Sequence, residues 1–205
     1  VVETLPPQAL ANVAWLFTVA DSPHDEAIAV LLVRLRALHS TTHDLSIVHV
    51  AQLHQFFTFV RLHADSLPLA RSVLSKMPRL VQQAHAVFVG ESSQPRSSHL
   101  QRTVMAALEA AGVSVQEEVV LTDAAGYGVD GLVVGMQVAI EVDGPSHFVR
   151  QQDGLVPSGA TALKRRQLQA NGYEVVPVLY YEWDKLQGPV EQAAYLRGLG
   201  LGVWS

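Results

Sequence analysis

The densest chemistry in this 205-residue chain lies in Ala139-Ile-Glu-Val-Asp-Gly-Pro-Ser-His-Phe148. On a strand, twofold alternation puts Glu141 and Asp143 on one face and Ile140 and Val142 on the other. Two like charges side by side are costly to bury unless a cation, a proton or a hydrogen-bond donor compensates, so the pair demands a partner. The Gly144-Pro145 turn can supply donors, and Lys164-Arg165-Arg166, farther along, can supply cations. His147 is either a turn-stabilising donor or a ligand for phosphate or metal. Residues 100–205 carry seven basic against twelve acidic side chains, and Lys164-Arg165-Arg166 is their one basic cluster. It therefore stands as a phosphate contact against the plainer reading of a solvated helix face. Tyr180, Tyr181 and Trp183 suit the core, with base stacking as the second use of such rings. The chain has no Cys, which excludes disulfides, thiolate metal sites and a cysteine nucleophile. The other eight His share no ligand spacing with carboxylates, so no zinc site is expected.

The elements around these residues follow from period and punctuation. Ser97 or Ser98 caps a helix through Leu100, Val104, Ala107, Leu108 and Ala111 that Gly112 closes, and Val113 to Leu121 reads as a strand. Gly126-Tyr-Gly-Val-Asp-Gly131 spells the dinucleotide-binding glycine pattern, but it opens a strand, Val129 to Val134, where that fingerprint needs to open a helix. Gly135 then turns the chain into a second strand, Gln137 to Val142. Thr161 to Ala170 forms a helix ending at Asn171-Gly172, and Tyr173 to Tyr180 forms a last strand. The expected order is helix, three strands, helix, strand, helix.

The first half has another character. Leu10, Val13, Ala14 and Phe17, then Ile28, Leu31, Leu32, Leu35 and Leu38, recur at helical spacing, with Pro6 and Pro7 at the first helix start. An offset of 40 residues lays Ala11-Asn-Val-Ala-Trp-Leu-Phe17 over Ala51-Gln-Leu-His-Gln-Phe-Phe57, and helix 25–39 over helix 67–84, as helical-hairpin repeats would. Two units are fewer than a solenoid core normally needs, so the segment is expected to end a longer array or to dock on the second half. Eight of nine His and seven of nineteen acidic residues precede residue 100. Together with the polar Gly90-Glu-Ser-Ser-Gln-Pro-Arg-Ser-Ser98, this places helical repeats at 1–90, a linker at 91–98 and an α/β domain at 99–205.

Composition bounds the function. Apolar residues at 49% and charged residues at 16% exclude a mainly disordered chain. The net charge of −5 opposes a globally basic surface, so any nucleic-acid contact must be local. No apolar run is long enough to span a membrane. The start at Val1 lacks Met and the order of a secretory signal, as expected where a leader is removed or left out.

Glu141-Val-Asp-Gly-Pro-Ser-His-Phe148, Leu163-Lys-Arg-Arg166, Gly172-Tyr173 and Tyr180-Tyr-Glu-Trp-Asp-Lys-Leu186 together resemble the RAP domain, an RNA-binding module abundant in apicomplexans, over about residues 95 to 197. Pro7-Gln-Ala-Leu-Ala-Asn-Val-Ala-Trp15 resembles the octotricopeptide repeats of algal organelle RNA factors and, more distantly, the FAST kinase-like family of mitochondria. The resemblance implies an α+β chain in which helical repeats precede a restriction-endonuclease-like α/β domain. It implies an RNA-binding factor of mitochondria, or alternatively of chloroplasts, acting on rRNA or mRNA in maturation, stability or ribosome assembly, even as a component of a mitochondrial ribosome. Its partners would be RNA and neighbouring proteins of a ribonucleoprotein. Lys164, Arg165, Arg166, His147 and Trp183 are then the expected RNA contacts. RAP domains also resemble nucleases, in which Asp130, Glu141, Asp143 and Lys164 would be the catalytic set. Such a site would hold Mg²⁺ to polarise phosphate, with a Lys stabilising developing charge. Asp143 stands where that Lys is expected, which points to a vestigial site with no cofactor, unless Lys164 serves from the helix. The alternatives are a metal-dependent endoribonuclease and a pure protein-interaction module.

Overall fold

In the computed structural model, which describes residues 5–37, 45–94 and 97–201, the chain divides into two units, Val1–Glu91 and Ser92–Ser205. The helical spacing of the first half folds into α1 (Pro7–Val19), α2 (Asp25–Ala37), α3 (Ile47–Leu62), α4 (Pro68–Leu74) and α5 (Pro78–Ser92). Leu10, Ala14, Ile28, Leu31, Leu32, Leu35, Leu53, Phe56 and Phe57 are buried in one cluster, each large apolar side chain contributing about 1.5–3 kcal/mol on leaving water. Leu38, expected in the core, lies outside the described residues.

Helix α1 packs on α3 and α2 on α4. Helices 40 residues apart thus lie side by side, as in stacked helical hairpins. The start of α4 has no cap of its own, since Leu67 precedes it. Asp25 supplies one from α2: its carboxylate accepts the Leu69 amide at 3.0 Å and the Ala70 amide at 2.8 Å. The single helix expected over 67–84 is instead two. Pro78 clashes with a helical conformation at the residue before it, so the chain turns through Ser75-Lys76-Met77 and starts α5 with Pro78 in its first turn.

The second unit opens with α6 (His99–Ala110), capped by Ser98 Oγ, which accepts the Gln101 amide at 3.0 Å. Strands β1 (Val115–Leu121), β2 (Tyr127–Val133) and β3 (Val138–Asp143) follow as an antiparallel meander. A 3-10 turn (Pro145–His147) leads to a small hairpin, β4 (Phe148–Gln151) and β5 (Gly154–Pro157). Then come α7 (Gly159–Ala170), β6 (Glu174–Leu179), α8 (Tyr180–Trp183) and α9 (Gly188–Gly198). The four-stranded sheet runs β1-β2-β3-β6, with β6 parallel to β3. A parallel return needs a crossover, and α7 is that crossover. Pro177 sits in β6 because this strand is an edge, where a missing amide costs no ladder bond.

This is a mixed α+β chain, helices first and sheet second, in the expected element order. The β4–β5 hairpin is an addition, and the final helical region is two helices. Val104, Leu108, Ile140, Val178, Trp183 and Leu196 are buried in the core of the unit. Gly131 lets α6 approach the sheet: a Cβ there would lie 2.7 Å from Val115 Cγ1 and 3.0 Å from Met105 Cε. The last glycine of the deceptive pattern is therefore a packing glycine.

Candidate functional site

Strand β3 is buried along its whole length, because β2 and β6 flank it and helices cover it. Glu141 is 3% exposed and Asp143 0%, so both carboxylates must find partners inside the protein. The crossover supplies them. From α7, Lys164 Nζ donates to Glu141 Oε2 at 2.6 Å, and the Arg165 guanidinium donates to Asp143 Oδ2. The second Asp143 oxygen lies 2.7 Å from His147 Nδ1, which acts as the donor a carboxylate requires. Asp143 is thus satisfied on both oxygens, one by the crossover helix and one by the turn that follows its own strand. The pairing with Lys164 and Arg165 is present, and the further donor to Asp143 is the His147 side chain.

Asp130 reaches the same place from β2. The ladder between β2 and β3 ends at Gly131 opposite Ile140. One step beyond, where Asp130 would face Glu141, the Asp130 carboxylate accepts the Val142 amide at 2.7 Å. On its other side the register sets Asp130 opposite Glu118, between the pairs Glu117–Gly131 and Val119–Val129. Glu118, which no motif or spacing singles out, therefore joins a row of carboxylates across three strands. It adopts a left-handed φ of 53°, and its carboxylate accepts the Gln101 amide group at 2.7 Å. Only the pairing of β1 with β2 reveals this residue, for the run Gln116-Glu-Glu-Val119 carries no alternation.

The electrostatics follow from burial. Desolvation pushes the Glu141 carboxyl up to about 7 from 4.5, the Lys164 ammonium opposing the rise and the Asp130 charge adding to it. Desolvation also raises Asp130, against the lowering effect of the Val142 amide. The hydrogen bond to Asp143 raises His147, against its own desolvation. Glu141 Oε1 is buried and, among the described residues, has no hydrogen-bond partner.

Asp130, Glu141, Asp143, Lys164, Arg165 and His147 therefore converge. Two expected roles change. Trp183, expected at the RNA surface, is 5% exposed and packs in the core. Its indole N–H donates to Thr103 Oγ1 at 3.2 Å, so its faces are covered and offer nothing to a base. Lys164 and Arg165 do not form a purely solvated helix face, because their heads turn onto buried carboxylates. Half-buried Phe148, Tyr180 and Tyr181 form a ring cluster beside the turn, with centroids 5.4 to 5.9 Å apart. A divalent cation does not fit this arrangement: a side-chain cation already pairs with each β3 carboxylate, and among the described residues no three of His, Asp and Glu are grouped to ligate a metal.

Comparison with known proteins places these residues. The sequence model of the RAP domain matches residues 140–199, from inside β3 to the end of α9. A chloroplastic RAP domain-containing protein of Oryza sativa subsp. japonica is 46% identical over 72 residues, 35% of this chain and 11% of that protein. The mitochondrial FAST kinase domain-containing protein 3 of Bos taurus is 38% identical over 65 residues, 32% of this chain and 10% of that protein. The matched stretch thus spans about a tenth of the length of each relative. Glu141, Asp143, His147, Lys164 and Arg165 all lie within residues 140–199, the segment of this chain that is similar to the RAP domain.

Proposed function

We propose that this chain is an RNA-binding factor of an organelle, mitochondrial or alternatively chloroplastic, in which octotricopeptide-like repeats at 1–90 and a linker at 91–98 precede a RAP domain at 99–205. It acts on rRNA or mRNA in maturation, stability or ribosome assembly, within a ribonucleoprotein. The observation that carries this reading is the RAP match over 140–199, laid on the ion pairs of β3 and α7. RAP domains are RNA-binding modules, and the relatives are named chloroplastic and mitochondrial.

The geometry supports binding over hydrolysis. Lys164 spends one of its three N–H donors on Glu141 and Arg165 part of its five on Asp143, while their side chains stay 27% and 19% exposed. The buried carboxylates hold two cations at the surface and fix their direction, as the supporting layer of a site does. His147, 39% exposed and tied to Asp143, adds a third positive group as pH falls. Arg166 completes the set that meets phosphate. With a net charge of −5 the isolated chain binds RNA weakly and with a shallow salt slope.

Crosslinking in purified organelle particles, followed by identification of attached nucleotides, tests the reading. RNA joined to residues 140–199 is the expected result. Crosslinks to neighbouring proteins alone would overturn it in favour of a protein-interaction module.

A further inference from the structure

Acids outnumber the cations that face them where β2, β3 and α7 meet. Glu141 and Asp143 come from β3, Asp130 from β2 and, beyond Asp130, Glu118 from β1. Against them, among the described residues, α7 sets Lys164 and Arg165, and the turn after β3 sets His147. The fourth neighbour, β6, lays Pro177 beside Glu141 and brings no charge. Four carboxylates thus face two cations and one histidine. Like charges held together away from water are relieved by a proton, and the donors decide which acid takes it. Asp143 has a donor on each oxygen. Asp130 accepts the Val142 amide and is less buried. Glu141, 3% exposed, has Lys164 on one oxygen and no donor on the other. It is the anion of the row with the poorest support for its burial.

We propose that proton binding at Glu141 gates the RNA contact of Lys164, so that affinity rises as pH falls, a regulation that rests on the RNA-binding reading above. An ionised Glu141 neutralises Lys164 and repels phosphate. A neutral carboxyl keeps a carbonyl oxygen that accepts from Lys164 Nζ, so the side chain keeps its direction while its charge is left for phosphate. Desolvation, which lifts this carboxyl to about 7, puts the change near neutrality. RNA favours the neutral form, so binding takes up a proton wherever the free protein has lost it. His147, raised by its bond to Asp143, acts in the same direction and has to be separated by mutation.

The test uses the full chain and an oligouridylate whose dye does not titrate between pH 6 and pH 8, with affinity read by anisotropy at low ionic strength. Glu141→Gln keeps the carbonyl acceptor and fixes the neutral state. With half-protonation at about 7, about a tenth of the wild-type chain is binding-competent at pH 8. The variant should therefore bind about tenfold tighter than the wild type at pH 8 and about equally at pH 6. The other histidines are common to both proteins and cancel in this ratio. Glu109→Gln, which removes an exposed acid of α6, should change affinity by one small factor at both pH values. Calorimetry at pH 8 in buffers of different ionisation enthalpy should show the wild type taking up most of one proton per RNA, and the Glu141 variant much less. If the ratio of Glu141→Gln to wild type is the same at pH 6 and pH 8, or the wild type takes up no proton, the gate is overturned while the RNA-binding reading stands. A pH dependence that His147→Gln abolishes and Glu141→Gln retains assigns the switch to His147 and also overturns the proposal. No RNA binding by the wild-type chain at either pH overturns both.

Discussion

Glu141→Gln isolates the cost of burying a charge in β3. The folded protein holds the Glu141 proton up to about pH 7, whereas the unfolded chain releases it near 4.5. Between those values the folded state binds more protons, so stability is fully present below pH 4.5 and is lost as pH rises through 7. At about 1.4 kcal/mol per pKa unit the whole effect is about 3 kcal/mol, of which about 2 kcal/mol falls between pH 5.5 and pH 8. Glutamine keeps the shape without the charge, and Lys164, 27% exposed, can turn to water. The variant should therefore lose most of the pH dependence and be more stable than the wild type at pH 8. A residual slope of the same sign remains, because His147 is raised as well. Urea unfolding followed by fluorescence in a Trp15→Phe background checks this, since Trp183 and Trp204 both belong to the second unit. A wild-type stability that is flat or rises from pH 5.5 to pH 8, or a Gln variant that falls as the wild type does, would refute the reasoning.

Other changes probe the neighbouring contacts. Arg165→Met leaves Asp143, 0% exposed, still bonded to His147 but without its guanidinium, and should cost about 3 kcal/mol in urea unfolding. Asp143→Asn with Arg165→Met should cost less than Arg165→Met alone. Asp25→Ala removes both capping bonds to α4 and should destabilise the first unit by about 1–2 kcal/mol, read by hydrogen exchange at Leu69 and Ala70. Gly131→Ala drives a methyl into Val115 and Met105 and should lower the stability of the second unit by about 1–2 kcal/mol, seen as a lower urea midpoint.

The fold was legible where one local rule acted alone. Ser98 as a cap, the helical spacing in α1 and α2, and the common side of Glu141 and Asp143 on β3 each follow from a single period or side chain, and each is present. The hairpin of β4 and β5 escaped because its strands are four residues long and largely exposed, so no apolar alternation marks them. Its turn is Gln152-Asp153, between the paired Gln151 and Gly154, and Gly154 takes the φ of 130° that closes it. The break before Pro78 was readable too, but helical spacing on both sides of it hid the turn. The candidate site divides along the same line. That Glu141 and Asp143 share a face follows from alternation. That Lys164 meets Glu141 and Arg165 meets Asp143 follows from a parallel crossover that returns α7 over β3, a non-local fact no spacing encodes. Glu118 belongs to the row only through cross-strand register.

The ion pairs themselves argue for a role beyond folding. Taking two charges out of water costs about what their attraction returns, and apolar replacements of similar volume are often neutral or more stable by about 1–4 kcal/mol. A strand as buried as β3 would fold on aliphatic side chains, so stability alone does not explain Glu141 and Asp143. Under the RNA-binding proposal, holding Lys164 and Arg165 at the surface in fixed directions is what they are for. Replacing all four together, with Glu141→Met, Lys164→Leu, Asp143→Leu and Arg165→Met, should therefore leave the second unit as stable as the wild type or more so at pH 8, while RNA affinity falls about tenfold. The same change should reduce the salt slope by about 0.7 for each phosphate released. Stability lost by several kcal/mol would make the pairs structural after all. Unchanged RNA affinity in a well-folded variant would remove Lys164 and Arg165 from the binding surface.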